Sequence, residues 1–457
     1  MLSPCPGIAT QNRGFASMSP VVERIHSDEK LPAAADVVIV GAGIVGSATA
    51  YYLARRGLSV ALLEKGHVGC EQSSRNWGWC RQQNRDAREM PLSQLSMRLW
   101  DELAGEIGKD LGFRRCGLVY ATDDAQMLAG WESWRPVAKD FGVNTRMLSA
   151  AEAADRMPTT RRNWIGGLHS VDDGKAEPAL AAPVLAEGAR ALGATIHQQC
   201  AARGLDITNG QVVGVHTEKG TIRTSAVLCS AGAWASRFLR THGVSFPQAS
   251  VRQTALRTKP TANVGEVLYS PDFAMTRRLD GSYTLAISGR AVLELTPQGI
   301  RYAREFMPQF LQRLKAVQVG LGKSFLTGPD SVSALLKNDD KVFEKTRVLD
   351  PEPLGRQVRQ IMHNVRTTFP ELADIEIDSA WGAFVDCTPD AVPVISQVGK
   401  VDGLFLAAGC SGHGFGVGPG IGYLAAQLIV NDTPSVDTTP FRLSRLVDGS
   451  KVQVGAL

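Results

Sequence analysis

Residues 36–46 read DVVIVGAGIVG, and this stretch decides the fold. Val37–Val40 is a short, unbroken apolar run of β-branched residues that stops at glycine, the pattern of a strand buried on both faces of a parallel sheet. Gly41, Gly43 and Gly46 then supply G-x-G-x-x-G, and residues 47–56 (SATAYYLARR) read as a helix. A second apolar run, 58–63, ends at Glu64. Strand, glycine turn, helix, strand and terminal acid together form the setting in which this motif holds a dinucleotide. Gly41 permits the tight turn, Gly43 lets the backbone approach a pyrophosphate, and Gly46 lets helix and strand pack closely. The helix N-terminus offers free N–H groups and partial positive charge, and Glu64 can accept hydrogen bonds from a ribose diol. The motif leaves FAD and NAD both open.

Working outward, 457 residues suffice for two domains, and 44% hydrophobic with 21% charged residues describes an ordinary globular chain. The 49 basic and 45 acidic residues give +4, too balanced to argue for nucleic acid. No run of about 18 apolar residues indicates a transmembrane helix. Peripheral attachment to a membrane stays open. The cysteines form no C-x-x-C pair and have no zinc-like spacing with histidine, so mostly reduced, packed thiols, a cytoplasmic setting and no structural metal are expected. Residues 1–35 read as a disordered extension, with Met18 a possible true start and order beginning near Asp36.

Along the chain, residues 66–88 (GHVGCEQSSRNWGWCRQQNRDAR) form a long irregular stretch, and loops of this length in compact domains are usually functional. Residues 91–107 then read as an amphipathic helix, and the simple βα alternation stops. Asn209–Gly210 and Asp280–Gly281 signal hairpins. An apolar run at 404–408 leads into CSGHGFGVGPGIG and a last helix over 423–430. The expected class is α/β: a Rossmann-like domain (36–90, 170–245 and 375–435) interleaved with an α+β domain on a mixed or antiparallel sheet (91–169 and 246–374), and a tail at 436–457. Residues 319–349 show no clean periodicity.

Five motifs in fixed order carry a resemblance: the glycine turn, Ser73–Ser74, AGAW at 231–234, TPD at 388–390 and SGHGFG at 411–416. Over roughly residues 36–430 the chain resembles the D-amino-acid-oxidase-type family of FAD-dependent amine oxidoreductases, which includes glycine oxidase, sarcosine oxidase and D-amino-acid dehydrogenases. SSRNWGWCRQQ and WGAFVDCTPDAVPVI look closest to bacterial dehydrogenases of opine-like, hydroxyproline-like and other secondary or D-amino acids. The resemblance implies FAD. By it, Gly41, Gly43, Ile44, Val45 and Gly46 hold the pyrophosphate and Glu64, followed by Lys65, the adenosine ribose. Ser73, Ser74, Arg75, Asn76, Trp77 and Gly78 surround the pyrophosphate and ribityl chain. Ala202, Ala231, Gly232 and Trp234 line the ADP side, and Gly409, Gly412, His413, Gly414, Phe415 and Gly416 approach the flavin ring. A glycine run before a helix presents backbone donors and a favourable dipole to the reduced flavin.

The reaction so implied is hydride removal from the carbon beside an amine to flavin N5, giving an imine that hydrolyses. An amino-acid carboxylate calls for arginine, whose planar fork matches two oxygens. Arg277 and Arg278, adjacent on a strand, point to opposite faces, so at most one serves; Arg81 and Arg252 compete. Trp77, Trp79 and Trp381 are candidates for an aromatic wall, and His413 for a hydrogen bond to flavin or substrate. Some relatives attach flavin through a cysteine, which here falls near Ala383, with Cys387 too close to Thr388 and Cys410 elsewhere, so non-covalent FAD is expected. Sarcosine-oxidase-like members carry a lysine that helps dioxygen react; Ala286 stands there, which favours a dehydrogenase passing electrons to a quinone or partner protein over an oxidase using dioxygen. The alternatives are a 2-hydroxy-acid dehydrogenase of the same fold and the flavin subunit of a larger electron-transferring assembly. An oligomer or partner subunit is compatible with both.

Overall fold

In the computed structural model of the protein, which describes residues 2–4, 19–159, 161–313, 317–326, 328–329, 331–332 and 341–455, Val37–Val40 lies inside a six-stranded sheet. The strand order is Thr195–His197, Val60–Leu63, Val37–Val40, Val227–Cys229, Leu404–Ala408 and Val394–Gln397. The first five are parallel and the last is antiparallel. Every residue of Val37–Val40, Val60–Leu63 and Leu404–Ala408 is buried, as continuous apolar runs in a parallel sheet require.

Helices Ile44–Arg55, Ala181–Ala191, Met90–Ile107 and Gly418–Ile429 share one core with this sheet. Their approach is set by glycine. A Cβ on Gly422 would fall 2.5 Å from Ala48 Cβ and 2.8 Å from the Thr49 nitrogen, so the first and last of these helices touch backbone to backbone. A three-stranded antiparallel meander, Ala202–Thr208, Gln211–Thr217 and Gly220–Arg223, contributes Leu205, Val212 and Ile222 to a second core with the sheet residues Val38, Val40 and Ala61. Its first turn is Asn209–Gly210, both with positive φ (51° and 78°), as the sequence signals.

The second sheet runs Val317–Gly320, Ala291–Glu294, Ala249–Thr258, Tyr283–Ala286, Phe273–Arg277, Val267–Ser270, Leu118–Thr122, Gly166–Ser170 and Thr145–Leu148. Ala249–Thr258 is its pivot. Residues 255–257 pair with Tyr283–Ala286, residues 251–252 with Ala291–Glu294, and Ile377–Cys387 pairs along the whole strand. Helix Gly355–Thr368 buries Val358, Ile361, Met362 and Val365, one stripe at helical spacing, against this sheet.

Several features differ from the sequence reading. Order starts before Asp36: Val21–Glu23 is a strand, Val22 is fully buried, and Ser19 Oγ donates to Asp350 at 2.7 Å. Residues 5–18, including Met18, lie outside the described residues. Helix Met90–Ile107 packs with the nucleotide sheet, not the second one, because its apolar stripe (Leu92, Leu95, Leu99, Leu103) meets Gly418–Ile429. Ile377–Cys387 pairs with the second sheet although its end reaches the cofactor half. Within the irregular 319–349 stretch, residues 327, 330 and 333–340 lie outside the described residues. Among the described residues no helix is long and apolar enough to cross a membrane, and no group of three or more His, Cys, Asp or Glu side chains could hold a metal ion.

Gly422→Leu is expected to force these two helices apart. Overpacking of this kind costs about 1–3 kcal/mol, and chemical denaturation should show a midpoint lowered accordingly.

Candidate active site

A cavity of about 840 Å³ is lined at one end by the glycine turn and at the other by residues 410–416, with aromatic side chains of both halves between. At the first end the helix Ile44–Arg55 begins at Gly43 with no side-chain cap, and the Ile44 N–H donates to Ser73 Oγ at 2.9 Å. Gly41 has φ of 102°, and a Cβ on Gly46 would fall 1.9 Å from the Gly41 oxygen. Only glycine at these positions brings the uncapped N-terminus this close to the strand end. Glu64 is held by the Ala42 N–H at 2.9 Å and the Gly66 N–H at 2.7 Å. Burial pushes its carboxyl pKa up, and the two backbone donors oppose that. Each oxygen keeps a lone pair for a hydroxyl. Lys65 Nζ lies 4.1 Å from the Trp234 ring centroid and 3.3 Å from Glu71. Ala202, Ala231 and Gly232 line the same end. A helix N-terminus with no cap from its own N-cap residue, a glycine cradle and a half-buried acid fit an ADP group.

At the other end, Asp386 Oδ2 accepts the Gly409 N–H at 2.8 Å and Gln248 Nε2 at 3.1 Å. Burial pushes the Asp386 pKa up to about 6, while the Gly409 donor pulls it down. Gly409 has φ of 74°, and a Cβ there would strike Thr388 Cγ2 at 2.4 Å. Gly412, His413, Gly414, Phe415 and Gly416 line the cavity. A Cβ on Gly416 would fall 2.7 Å from the Trp79 oxygen, so the loop lies directly on the 76–89 segment. The Gly416 carbonyl accepts Ser96 Oγ and Trp100 Nε1, both at 2.9 Å, which fixes it to helix Met90–Ile107. The helix Gly418–Ile429 starts within the glycine run, earlier than the 423–430 expected, again without a side-chain cap. These backbone groups suit the electron-rich edge of a flavin.

Between the ends stand Trp77, Trp79, Tyr120, Trp131 and Tyr269. Trp79 is 6.2 Å from Tyr120, 6.0 Å from Tyr269 and 5.2 Å from Trp77, centroid to centroid. Arg81 lies against the Trp79 ring. Arg85, which sequence reasoning overlooks, lines the cavity while 3% exposed, and its Nη1 has no hydrogen-bond partner. Burial and the neighbouring Arg81 lower its pKa to about 10, so it stays cationic at neutral pH. Asp173 fixes this stretch by accepting the Gln82 and Gln83 N–H groups at 2.7 and 3.2 Å. The Tyr120 hydroxyl is also buried and unpartnered.

Several candidates sit elsewhere. Arg278 is buried against Glu177 at 3.1 Å, and Arg277 stacks over Tyr283 and donates to the Thr261 and Ala262 carbonyls; neither lines the cavity. Alternation does separate them, but each face carries its own partners. Arg252 pairs with Glu294 at 3.0 Å. Trp381 is buried with Ala255 and Ala286, its Nε1 donating to the Arg75 oxygen at 3.1 Å, and it lies behind the cavity wall. Gly46, Ser74, Gly78 and Gly409 support the walls without lining them, whereas Ile44, Val45, Arg75 and Asn76 do line them. Arg75 is itself occupied by Asp350 at 2.8 Å and the Gly382 oxygen at 3.1 Å. Cys387 and Cys410 line the cavity as free thiols, and burial raises both pKa values.

Residues 36–428 match the family model of FAD dependent oxidoreductases (DAO). The chain belongs to this family, and FAD is its cofactor. It is 25% identical over 421 residues to 4-methylaminobutanoate oxidase (formaldehyde-forming) of Paenarthrobacter nicotinovorans, covering 92% of this chain and 46% of that protein. It is 26% identical over 426 residues to mitochondrial sarcosine dehydrogenase of Homo sapiens, covering 91% of this chain and 42% of that one. The chain thus spans less than half the length of these two relatives. L-amino acid deaminase from Proteus myxofaciens, solved in complex with anthranilate, superposes with a TM-score of 0.86 at 28% identity, over 96% of this chain and 98% of that one.

Gly46→Val should abolish flavin retention, because its side chain must displace the Gly41 carbonyl. Absorbance near 450 nm relative to protein, measured after purification with added FAD, checks this. A variant that still holds a full complement of flavin contradicts the assigned turn.

Proposed function

We propose that the protein oxidises the C–N bond of a small amino acid, N-substituted, cyclic or primary, with FAD held non-covalently. Bound FAD supplies the two-electron oxidant that takes a hydride at N5. The rest is the work of this chain's residues. The observation that carries the reading is the buried Arg85 guanidinium, whose Nη1 has no partner, lining the same cavity as the glycine loop. A buried cation with a free N–H awaits an anion, and a carboxylate satisfies it. Arg81 lies against Trp79, and the Trp79–Tyr120–Tyr269 wall would exclude water and pack the substrate's side chain. Anthranilate, bound by the Proteus myxofaciens deaminase, is an aromatic ring carrying a carboxylate and an amine, and such a molecule suits this lining. The names of the relatives, a methylamino acid oxidase and a sarcosine dehydrogenase, support an amine as the group oxidised.

With the amine neutral, its lone pair forms the C=N bond as the hydride leaves, and water then hydrolyses the imine. The electron acceptor is a quinone or an electron-transfer protein in preference to dioxygen, since Ala286, at the place of the oxidase lysine, is packed against Trp381 and brings no cation to the cavity.

Anaerobic mixing with a panel of D-, L-, N-methyl-, cyclic and opine amino acids should bleach the flavin with at least one amine and with none of the matching 2-hydroxy acids. Bleaching by hydroxy acids alone would identify C–OH chemistry, and no bleaching by any amine ends the proposal. For the amine that works, Arg85→Lys should leave the flavin spectrum unchanged and weaken binding about 10- to 100-fold, the loss of a charged, forked hydrogen bond. Acid precipitation should release all the flavin into the supernatant. Yellow colour remaining with the pellet would mark a covalent link at Cys387 or Cys410.

A further inference from the structure

Glu89 is fully buried, and neither carboxylate oxygen has a hydrogen-bond partner in good geometry. It ends the turn Ala87–Glu89 and stands as N-cap of the 18-residue helix Met90–Ile107, yet its side chain caps nothing. It turns inward instead, with Oε2 3.3 Å from His413 Nδ1. That ring nitrogen is sealed from solvent and otherwise unpartnered, while the imidazole itself lines the cavity. Burying a carboxylate so poorly served is unfavourable and calls for a use. The positive end of the helix and the Arg85 and Arg88 guanidiniums lie around it, and its charge raises the pKa of each arginine.

We propose that Glu89 is a positioning residue that takes the Nδ1–H of His413, so that the Nε2 lone pair faces the cavity and accepts the proton a substrate ammonium must lose. The inference rests on the amine-oxidising reading above. An amino acid reaches the site as an ammonium ion and has no lone pair to drive hydride departure. Transfer to His413 breaks one substrate N–H bond and forms Nε2–H. The positive charge passes to the imidazolium beside the Glu89 carboxylate, and the freed nitrogen lone pair becomes the C=N bond as the hydride leaves for FAD. A carboxylate behind a histidine fixes the tautomer and stabilises the imidazolium.

The groups facing His413 are Glu89, Arg85 and Arg81, with the neutral Cys410 thiol adjacent. Burial and Arg85 hold the His413 pKa down to about 4, with Glu89 opposing them. The ring is therefore neutral at any pH well above that value, and Glu89, the group that raises its pKa, is what lets it hold the substrate's proton in passing. The rate of anaerobic flavin reduction should then stay high below the pKa of the substrate's own ammonium. Glu89→Gln removes the charge, so its reduction rate at pH 7 should fall about 100-fold and recover as pH approaches that ammonium pKa, where free amine is supplied from solution. A merely structural role would lower the rate equally at every pH, and an unchanged profile would likewise overturn the proposal. A second readout needs no turnover. Nitrogen–proton correlation spectra of histidine-labelled holoenzyme, with His413→Asn for assignment, should show His413 protonated at Nδ1. Protonation at Nε2 alone overturns the proposal even if Glu89→Gln fails to fold. If no amine bleaches the wild-type flavin at any pH, the reaction assigned above falls, and the tautomer separately decides the Glu89–His413 contact.

Discussion

A methyl group placed on Gly46 would sit 1.9 Å from the Gly41 carbonyl oxygen and 2.7 Å from Ser230 Oγ. The cofactor half depends on this approach. It seats the helix Ile44–Arg55 on the end of Val37–Val40 with no cap from Gly43 itself, and allows Ser73 to reach the Ile44 N–H. The same economy of side chain recurs at Gly422, where the last helix meets the first, and at Gly416, where the far glycine loop rests on the Trp79 carbonyl. Three contacts of bare backbone thus bring the two ends of the chain to one cavity.

Charge is distributed over that cavity according to what water can no longer do. Glu64, Asp386 and Asp173 are acids served by backbone N–H groups, and each has its pKa raised by desolvation against those donors. Such acids organise loops. Arg85 and Glu89 differ, because each leaves polar atoms sealed and unpaired. Unsatisfied buried groups are uncommon in native folds, and a cluster of them beside a cavity is where ligand chemistry is to be sought.

The nucleotide half was legible in the sequence because its signals are local: apolar runs of strand length, a glycine triplet, an acid at the next strand's end. Asn209–Gly210 and Asp280–Gly281 were readable for the same reason. The substrate end was not. Arg277 and Arg278 lie on a recognisable strand, but nothing in the sequence shows that Glu177 and Tyr283 already engage them. Arg85 lies in a segment without periodicity, where direction is fixed by Asp173, a residue distant along the chain. Its one visible signal was its place in a loop too long to be idle. Val394–Gln397 is an edge strand whose partner is Leu404–Ala408, and like Gly166–Ser170 and Thr145–Leu148 it escaped notice. Short strands of this kind are defined by their neighbours more than by their own residues.

The order of strands in the nucleotide sheet also bears on how the chain is made. Val37–Val40 acquires its neighbour Val60–Leu63 early in synthesis, but its other edge waits for Val227–Cys229, and that strand waits for Leu404–Ala408. Until Leu404–Ala408 has emerged from the ribosome, an apolar strand stands with an open edge, and Gly422 has not yet closed over Ala48. Late closure of distant strands makes folding slow and exposes adhesive surface meanwhile. The nascent protein is thus vulnerable to aggregation while that strand is awaited, and a dinucleotide able to bridge the glycine turn and the arriving loop 409–416 would do most to hold the two together.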